Sequence, residues 1–137
     1  MLLKGDTVDI ARALNSRHFL TRPVESHMSA SAVGSGGIEV LSTPWMIALM
    51  ETASRDAVQG FLPPGHTTVG TRVDVRHTAP LPVGAFVSVE STLIEIRDRI
   101  LVFAVRAWSN SGDIGHGTHE RVVINTDKFM SRLKKGI

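Results

Sequence analysis

The sequence contains no cysteine. Without cysteine the chain has no disulfide, no thiolate nucleophile and no cysteine-ligated metal, so any active site must use other side chains. No apolar run approaches the length of a membrane-spanning helix, and the opening Met1-Leu2-Leu3 is too short for the apolar core of a signal peptide. We therefore expect a cytoplasmic protein that has no membrane partner.

Net charge is also small. The chain carries 15 Lys and Arg against 13 Asp and Glu, which leaves a net charge of +2. Part of this excess lies in residues 132–135, so it is too weak and too local to predict nucleic-acid binding. Arg97, Arg99 and Arg121 could still contact a small phosphorylated ligand. A length of 137 residues, with 42% apolar and 20% charged residues, is typical of one globular domain, residues 1–137.

Glu51 is the most informative residue that is present. Six apolar residues at positions 45–50 precede it, and a helix that is apolar all round is a core helix. Carboxylates are almost never fully buried without a partner. Glu51 must therefore have a partner, reach solvent in a cleft or take part in chemistry. The alternative is a structural Glu at the helix edge with its carboxylate in water.

The boundaries of this helix can be predicted from its flanking residues. Thr43 is a favourable N-cap, and Pro44 is favoured in a first helical turn. Gly60 and the following prolines end the pattern, so we predict a helix over residues 44–59.

Four strands are predicted after the helix. They span residues 67–79, 85–96, 100–108 and 114–125. The first alternates so that His77 lies on its apolar side. Asp127 could cap a short terminal helix. Before the central helix the signals are mixed, with a possible strand at residues 7–13 and a Ser/Ala/Gly-rich loop at 29–37. Together these elements predict an α+β domain of hotdog architecture, an antiparallel sheet wrapped around a long central helix.

Thr43, Glu51 and His77 are the candidate catalytic residues. Thr43 and Glu51 are separated by about 12 Å of helix rise, so a substrate carbonyl or an attacking water would have to lie between them. A hydroxyl, a carboxylate and an imidazole suit acyl transfer to water. Spacing alone leaves two other interpretations open: Thr43 could be only a cap, and His77 only a hydrogen-bonded core residue.

Three sequence blocks carry a resemblance to a known family. They are Leu49-Met50-Glu51, then Gly70-Thr71 with Val75-Arg76-His77-Thr78-Ala79, and Ile114-Gly115-His116-Gly117-Thr118-His119-Glu120-Arg121. In these blocks the chain resembles the hotdog-fold acyl-CoA thioesterases, the group that includes fluoroacetyl-CoA thioesterase.

The resemblance implies roles for individual residues. Thr43, Glu51 and His77 match the family's catalytic residues, Gly70 its oxyanion-site glycine and Arg121 a ligand-side arginine. For Arg121 a structural ion pair is an equally good interpretation. The family also implies a homodimer, which could pair further into a tetramer, with the acyl-thioester site at the protomer interface and the CoA nucleotide reaching the surface.

The sequence departs from the family in the loop that would cover the acyl group. Gly34 and Gly37 stand where the fluoroacetyl enzyme has phenylalanines, and glycine cannot form an apolar gate. We therefore expect Gly37 to adjoin the substrate and fluoroacetyl selectivity to be weak.

Two other motifs predict no site. His116 and His119 are three residues apart on a strand, so they project to opposite faces, whereas metal ligands must converge. Glu120 and Arg121 are adjacent on the same strand, so they also project to opposite faces. The glycine-rich loop lacks the lysine of a phosphate-binding loop. We expect no metal and no cofactor other than coenzyme A as part of the substrate.

The sequence thus predicts a thioester hydrolase acting on a small acyl-CoA. Two alternatives remain open at this point. One is a non-catalytic acyl-CoA-binding hotdog module, and the other is a hotdog dehydratase or hydratase, whose chemistry Glu51 and His77 would also suit.

Overall fold

The computed structural model describes residues 10–136, of which 10–12 are helical; five strands and three further α-helices follow. In chain order they are β1 (Arg17–Pro23), α1 (Ala30–Val33), α2 (Thr43–Gln59), β2 (His66–His77), β3 (Phe86–Arg97), β4 (Ile100–Ser109), β5 (Gly112–Asn125) and α3 (Thr126–Gly136). A single 3-10 turn, Ser26–Met28, precedes α1. None of the helices within residues 10–136 is both long and apolar enough to cross a membrane.

The strands form one antiparallel sheet in the order β1-β3-β4-β5-β2. Strand β3 lies near the centre and packs against α2, while β1 and β2 form the two edges. The predicted α+β class, with the sheet wrapped around a long helix, is confirmed.

The core lies between α2 and the inner face of the sheet. Helix α2 buries Met46, Leu49, Met50 and Ala53, a spacing of three and four residues that places them on one face. They join a cluster that includes Leu93 and other sheet residues. Because the cluster spans the whole length of α2, the helix has a fixed position relative to the strands that carry the candidate site.

The start of α2 differs from the prediction by one residue. Ser42 is the N-cap, and its hydroxyl accepts a hydrogen bond from the N–H of Trp45 at 3.2 Å. The predicted cap, Thr43, is the first residue of the helix. Its hydroxyl is therefore free of the capping role.

Three predictions near the chain ends need correction. Of the possible strand at residues 7–13, positions 7–9 lie outside the described residues, and 10–12 are helical. The strand in this part of the chain is instead β1. Only Leu20 is buried in β1, so its sequence shows no alternation of apolar residues. The predicted loop after Ser29 contains α1, whose N-cap is Ser29. Helix α3 begins before Asp127, and the side chain of Asn125 accepts the N–H of Lys128.

Strand β2 contains an irregularity that the predicted alternation does not. Gly70 pairs with Arg121 but Arg72 pairs with Glu120, so Thr71 is an extra residue in the ladder. The bulge reverses the alternation. As a result Gly70 and His77, which strict alternation puts on opposite faces, both lie on the side of α2.

Candidate active site

Thr43 and His77 form a direct pair. Thr43 begins α2, His77 ends β2, and the Thr43 Oγ1 lies 2.7 Å from the His77 Nδ1. Burial lowers the pKa of His77, and the backbone of Ala79 acts in the opposite direction. The Nε2 atom is buried and has no hydrogen-bond partner among the described residues. A neutral imidazole in contact with a hydroxyl is an arrangement that can activate the hydroxyl as a nucleophile.

A cleft of about 350 Å³ opens beside this pair. Its walls are the loop before α2, the start of α2 and the turn after β2. Gly36 and Ile38 line it together with Thr43 and His77. Gly37 does not belong to its lining, and the space around Gly37 is open. The predicted contact of Gly37 with the substrate remains a prediction.

Glu51 lies two turns further along α2 and has a partner. Its Oε2 lies 3.6 Å from Nη1 of Arg121, and its side chain is 43% exposed whereas that of Arg121 is 7% exposed. The carboxylate therefore has both a cation and access to solvent, which explains how a charge is tolerated in an apolar helix.

Gly70 faces the same carboxylate. A Cβ atom on Gly70 would lie 2.9 Å from Oε2 of Glu51 and 3.2 Å from Cε1 of His119. A larger residue would have to displace the carboxylate or the imidazole. This close approach is the reason for glycine at the β2 bulge, where the backbone φ is unexceptional.

The guanidinium of Arg121 is fixed from several sides. Its Nε donates to the Thr68 hydroxyl at 2.7 Å, and its Nη2 donates to the Thr68 carbonyl at 2.9 Å. Nη1 lies 3.1 Å from Nε2 of His119. Burial lowers the pKa of Arg121 and Glu51 acts against this shift, so the arginine stays charged. Of the two interpretations of Arg121, the ion pair is present, and contact with CoA remains a prediction.

His119 was not predicted as a site residue. His116 and His119 lie on opposite faces of β5, as predicted. Glu120 and Arg121 do so as well. The informative spacing was the two residues from His119 to Arg121, which puts both on the buried face of β5. Within residues 10–136, there is no group of three or more His, Asp or Glu side chains that could hold a metal ion.

The candidate residues thus form two clusters in the chain. Thr43 and His77 form the first, and Glu51, Gly70 and Arg121 form the second. Eight positions of α2 separate Thr43 from Glu51, about 12 Å of helix rise. Each cluster holds a part of the groups that hydrolysis of an acyl group requires.

Comparison with known proteins identifies the family. Residues 24–127 match the profile of the fluoroacetyl-CoA-specific thioesterases. The fluoroacetyl-CoA thioesterase of Streptantibioticus cattleyicolor is 39% identical over 97 residues, which are 71% of this chain and 70% of that one.

Solved structures agree with this assignment. A structure of a fluoroacetyl-CoA thioesterase superposes with a TM-score of 0.84 at 32% identity, covering 90% of this chain and 96% of the other. A variant of that thioesterase has been solved with fluoroacetate and CoA. A hot-dog-like protein from Thermanaerovibrio acidaminovorans shares the fold, with a TM-score of 0.87 at 22% identity over 94% of this chain and 97% of that one. The chain belongs to the fluoroacetyl-CoA-specific thioesterase family, and it is a hotdog-fold acyl-CoA thioesterase.

Proposed function

We propose that this enzyme hydrolyses CoA thioesters of small acyl groups in two steps, with Thr43 as nucleophile, His77 as its base and Glu51 as the base for water. The observation that carries the proposal is the 2.7 Å contact between Thr43 and His77 at the cleft, combined with a half-exposed Glu51 that Arg121 holds in place.

The first step transfers the acyl group to the enzyme. The Thr43 hydroxyl attacks the thioester carbonyl and gives its proton to Nδ1 of His77. The bond from carbonyl carbon to sulfur breaks, and the proton on His77 passes to the departing CoA sulfur. Because its pKa is lowered, the His77 imidazole is neutral at pH 7 and able to accept the proton.

The second step releases the acid. Glu51 takes a proton from a water molecule, and the resulting hydroxide attacks the carbonyl carbon of the Thr43 ester. The bond from that carbon to the threonine oxygen breaks, and the oxygen regains the proton that Glu51 removed from water as the acid leaves. The N–H of Gly70, a residue next to Glu51, would stabilise the oxyanion that forms on the substrate. This step requires Glu51 to lie closer to Thr43 than it does within one protomer.

A homodimer would supply that proximity. Strand β2 is an edge strand whose outer side pairs with no other strand within residues 10–136, and Val73 near its middle is 42% exposed. Unpaired edges favour pairing with another strand, and a two-fold axis makes such a pairing antiparallel. A register centred between Val73 and Asp74 sets His77 opposite Gly70 of the partner subunit. The complete site would then combine Thr43 and His77 of one protomer with Glu51 of the partner subunit.

The cleft limits the acyl group to a small one. Its volume of about 350 Å³ must also admit the thiol end of CoA. The related enzyme's acyl group is fluoroacetyl. In this chain the loop beside the cleft offers Gly36 and Ile38 in place of an aromatic gate, so it accepts acetyl and slightly larger groups with little discrimination.

Intact-mass spectrometry of the Glu51→Gln variant tests the proposal. With acetyl-CoA the variant should accumulate a covalent acetyl group on Thr43, because the step that needs Glu51 is slowed more than the step that does not. Wild-type enzyme should release free CoA thiol without accumulating the adduct. Binding of acetyl-CoA by wild-type protein with no thiol release from any acyl-CoA would contradict the proposal and indicate an acyl-CoA-binding module.

A further inference from the structure

His119 is a buried histidine without a role in the two steps proposed above. It lies on β5 with only 2% of its surface exposed, and Arg121, on the same face, is 6% exposed. Buried polar groups in folded proteins are hydrogen-bonded because an unpaired one costs free energy. Both ring nitrogens of His119 have partners, and these partners determine which tautomer is present.

The hydrogen bonds define a neutral ring. Nδ1 lies 2.8 Å from the carbonyl oxygen of Arg72, which can only accept, so Nδ1 carries the proton. Nε2 then keeps its lone pair and accepts a hydrogen bond from Nη1 of Arg121 at 3.1 Å. Burial lowers the pKa of His119, and hydrogen bonding to the Arg72 backbone opposes this shift. The charge of Arg121 lowers the pKa further, while the carboxylates of Glu51 and Glu120 raise it.

The imidazole completes the set of groups that hold Arg121. Thr68 binds Nε and Nη2 of the guanidinium, and His119 binds Nη1. Nη1 is also the atom that faces Glu51, at 3.6 Å from Oε2. The His119 imidazole is thus a third anchor of the planar guanidinium, at the nitrogen that faces the carboxylate.

The same ring fixes the β2 bulge. The carbonyl that accepts from Nδ1 belongs to Arg72, where the register of β2 resumes after Gly70. A Cβ on Gly70 would meet both the Glu51 carboxylate and the His119 ring. His119 therefore hydrogen-bonds to the guanidinium beside Glu51 and to the end of the bulge segment that begins with Gly70.

We propose that His119 is a positioning residue for hydrolysis: its neutral ring orients Arg121 and the Gly70–Arg72 bulge, and through them the Glu51 carboxylate. This inference rests on the role of Glu51 proposed above. The competing interpretation is core packing, since the His119 ring lies 6.2 Å from that of Phe103. A phenylalanine at position 119 would satisfy packing but could neither donate to Arg72 nor accept from Arg121.

Steady-state kinetics of two variants at position 119 separate the interpretations. His119→Phe keeps a ring and removes both hydrogen bonds, and we expect kcat to fall about 10- to 100-fold while KM changes less than about threefold, as for a misplaced catalytic group. His119→Gln retains an acceptor for Arg121 and should recover at least about fivefold of the lost kcat. His116→Phe, an exposed position on the opposite face of β5, is the matched control and should behave like wild type.

A double-variant comparison keeps the test decisive if His119→Phe is less stable. Because His119 acts through Glu51, His119→Phe should not lower kcat further when Glu51 is already Gln. Wild-type kcat in His119→Phe, equal losses in the Phe and Gln variants, or additive losses in the double variant would overturn the inference. If instead Glu51→Gln itself has wild-type activity, the proposed function fails first, so the two failures are distinguishable.

Discussion

Glu51 is held in an otherwise apolar helix by the guanidinium of Arg121, and its half-exposed position lets water reach it. Glu51→Gln keeps the shape of the side chain and removes the base. We expect kcat for acetyl-CoA to fall about 10²- to 10⁴-fold, the usual range for a lost general base. Circular dichroism should show an unchanged fold, since the carboxylate is not in the core. Activity within threefold of wild type would exclude Glu51 as the base.

Two histidines with lowered pKa values, the buried His119 and the partly buried His77, predict a pH dependence of stability. Burial lowers the pKa of both His77 and His119 below 6.5, the ordinary value that an unfolded chain retains. Between that value and the lowered values the unfolded state binds more protons, so stability rises with pH there. The contribution of the two neutral histidines to the free energy of unfolding is complete above about pH 6.5. It is lost as pH falls through the folded-state pKa values.

Urea unfolding across this pH range measures the effect. The free energy of unfolding should decrease from pH 7 to pH 5, and the decrease should be smaller in a His119→Gln variant, which has one fewer group to titrate. An identical slope in the variant and in wild type would show that His119 does not contribute.

At the scale of elements, capping of α2 and the proposed nucleophilic role belong to different residues at the start of the helix. Ser42 caps the helix while Thr43 contacts His77, so neighbouring residues carry the two roles. Thr43→Val removes the hydroxyl at nearly constant volume and should abolish acyl-enzyme formation with little change in stability. Ser42→Ala should cost about 0.5–2 kcal/mol of stability, as lost caps do, yet keep activity per folded molecule. Thermal unfolding and thiol release, measured on both variants, check this; an active Thr43→Val enzyme would rule out Thr43 as nucleophile.

The loop before α2 sets acyl selectivity. We expect wild-type kcat/KM to differ by less than about tenfold between fluoroacetyl-CoA and acetyl-CoA, because the chain lacks an aromatic gate. One apolar contact from such a gate would discriminate by about 1–3 kcal/mol, roughly 10- to 200-fold. Gly37 has open space around it and an ordinary φ, so Gly37→Phe should fold and raise this preference. Gly34, with φ of +77°, would be strained by the same change and serves as the contrast. A strong fluoroacetyl preference in wild type would instead assign selectivity to the catalytic residues.

Some elements of the fold and the site could be predicted from the sequence and others could not, for physical reasons. The apolar helix α2 and the run of apolar strands joined by short turns marked the core, so the hotdog fold was predictable from residues 43–125. Strand β1 was not, since an edge strand with one buried residue, Leu20, has no alternation of apolar residues. The face of Gly70 depends on the bulge, and the partners of His119 depend on pairing between β2 and β5. The register between strands that are distant in the sequence cannot be read from the local pattern of residues.

At the scale of the whole molecule, the separation of the two clusters predicts that subunits complement one another. In a dimer with composite sites, a Thr43→Ala subunit and a Glu51→Gln subunit together form one site that lacks both residues and one site that has both. Two separately inactive variants should therefore regain activity when unfolded together and refolded. Random pairing makes half of the dimers mixed, each with one intact site of two, so about a quarter of wild-type activity is expected.

Light scattering on each protein before and after mixing establishes the oligomeric state on which this prediction depends. Refolding Thr43→Ala with His77→Gln is the matched control, because these residues lie in the same cluster and every mixed site would lack one of them. Activity in that control would show that the clusters are divided differently between subunits. No recovery in the Thr43→Ala and Glu51→Gln mixture, with mixed dimers present, would place Thr43 and Glu51 of a single protomer in the same site and require movement along α2 to bring them together.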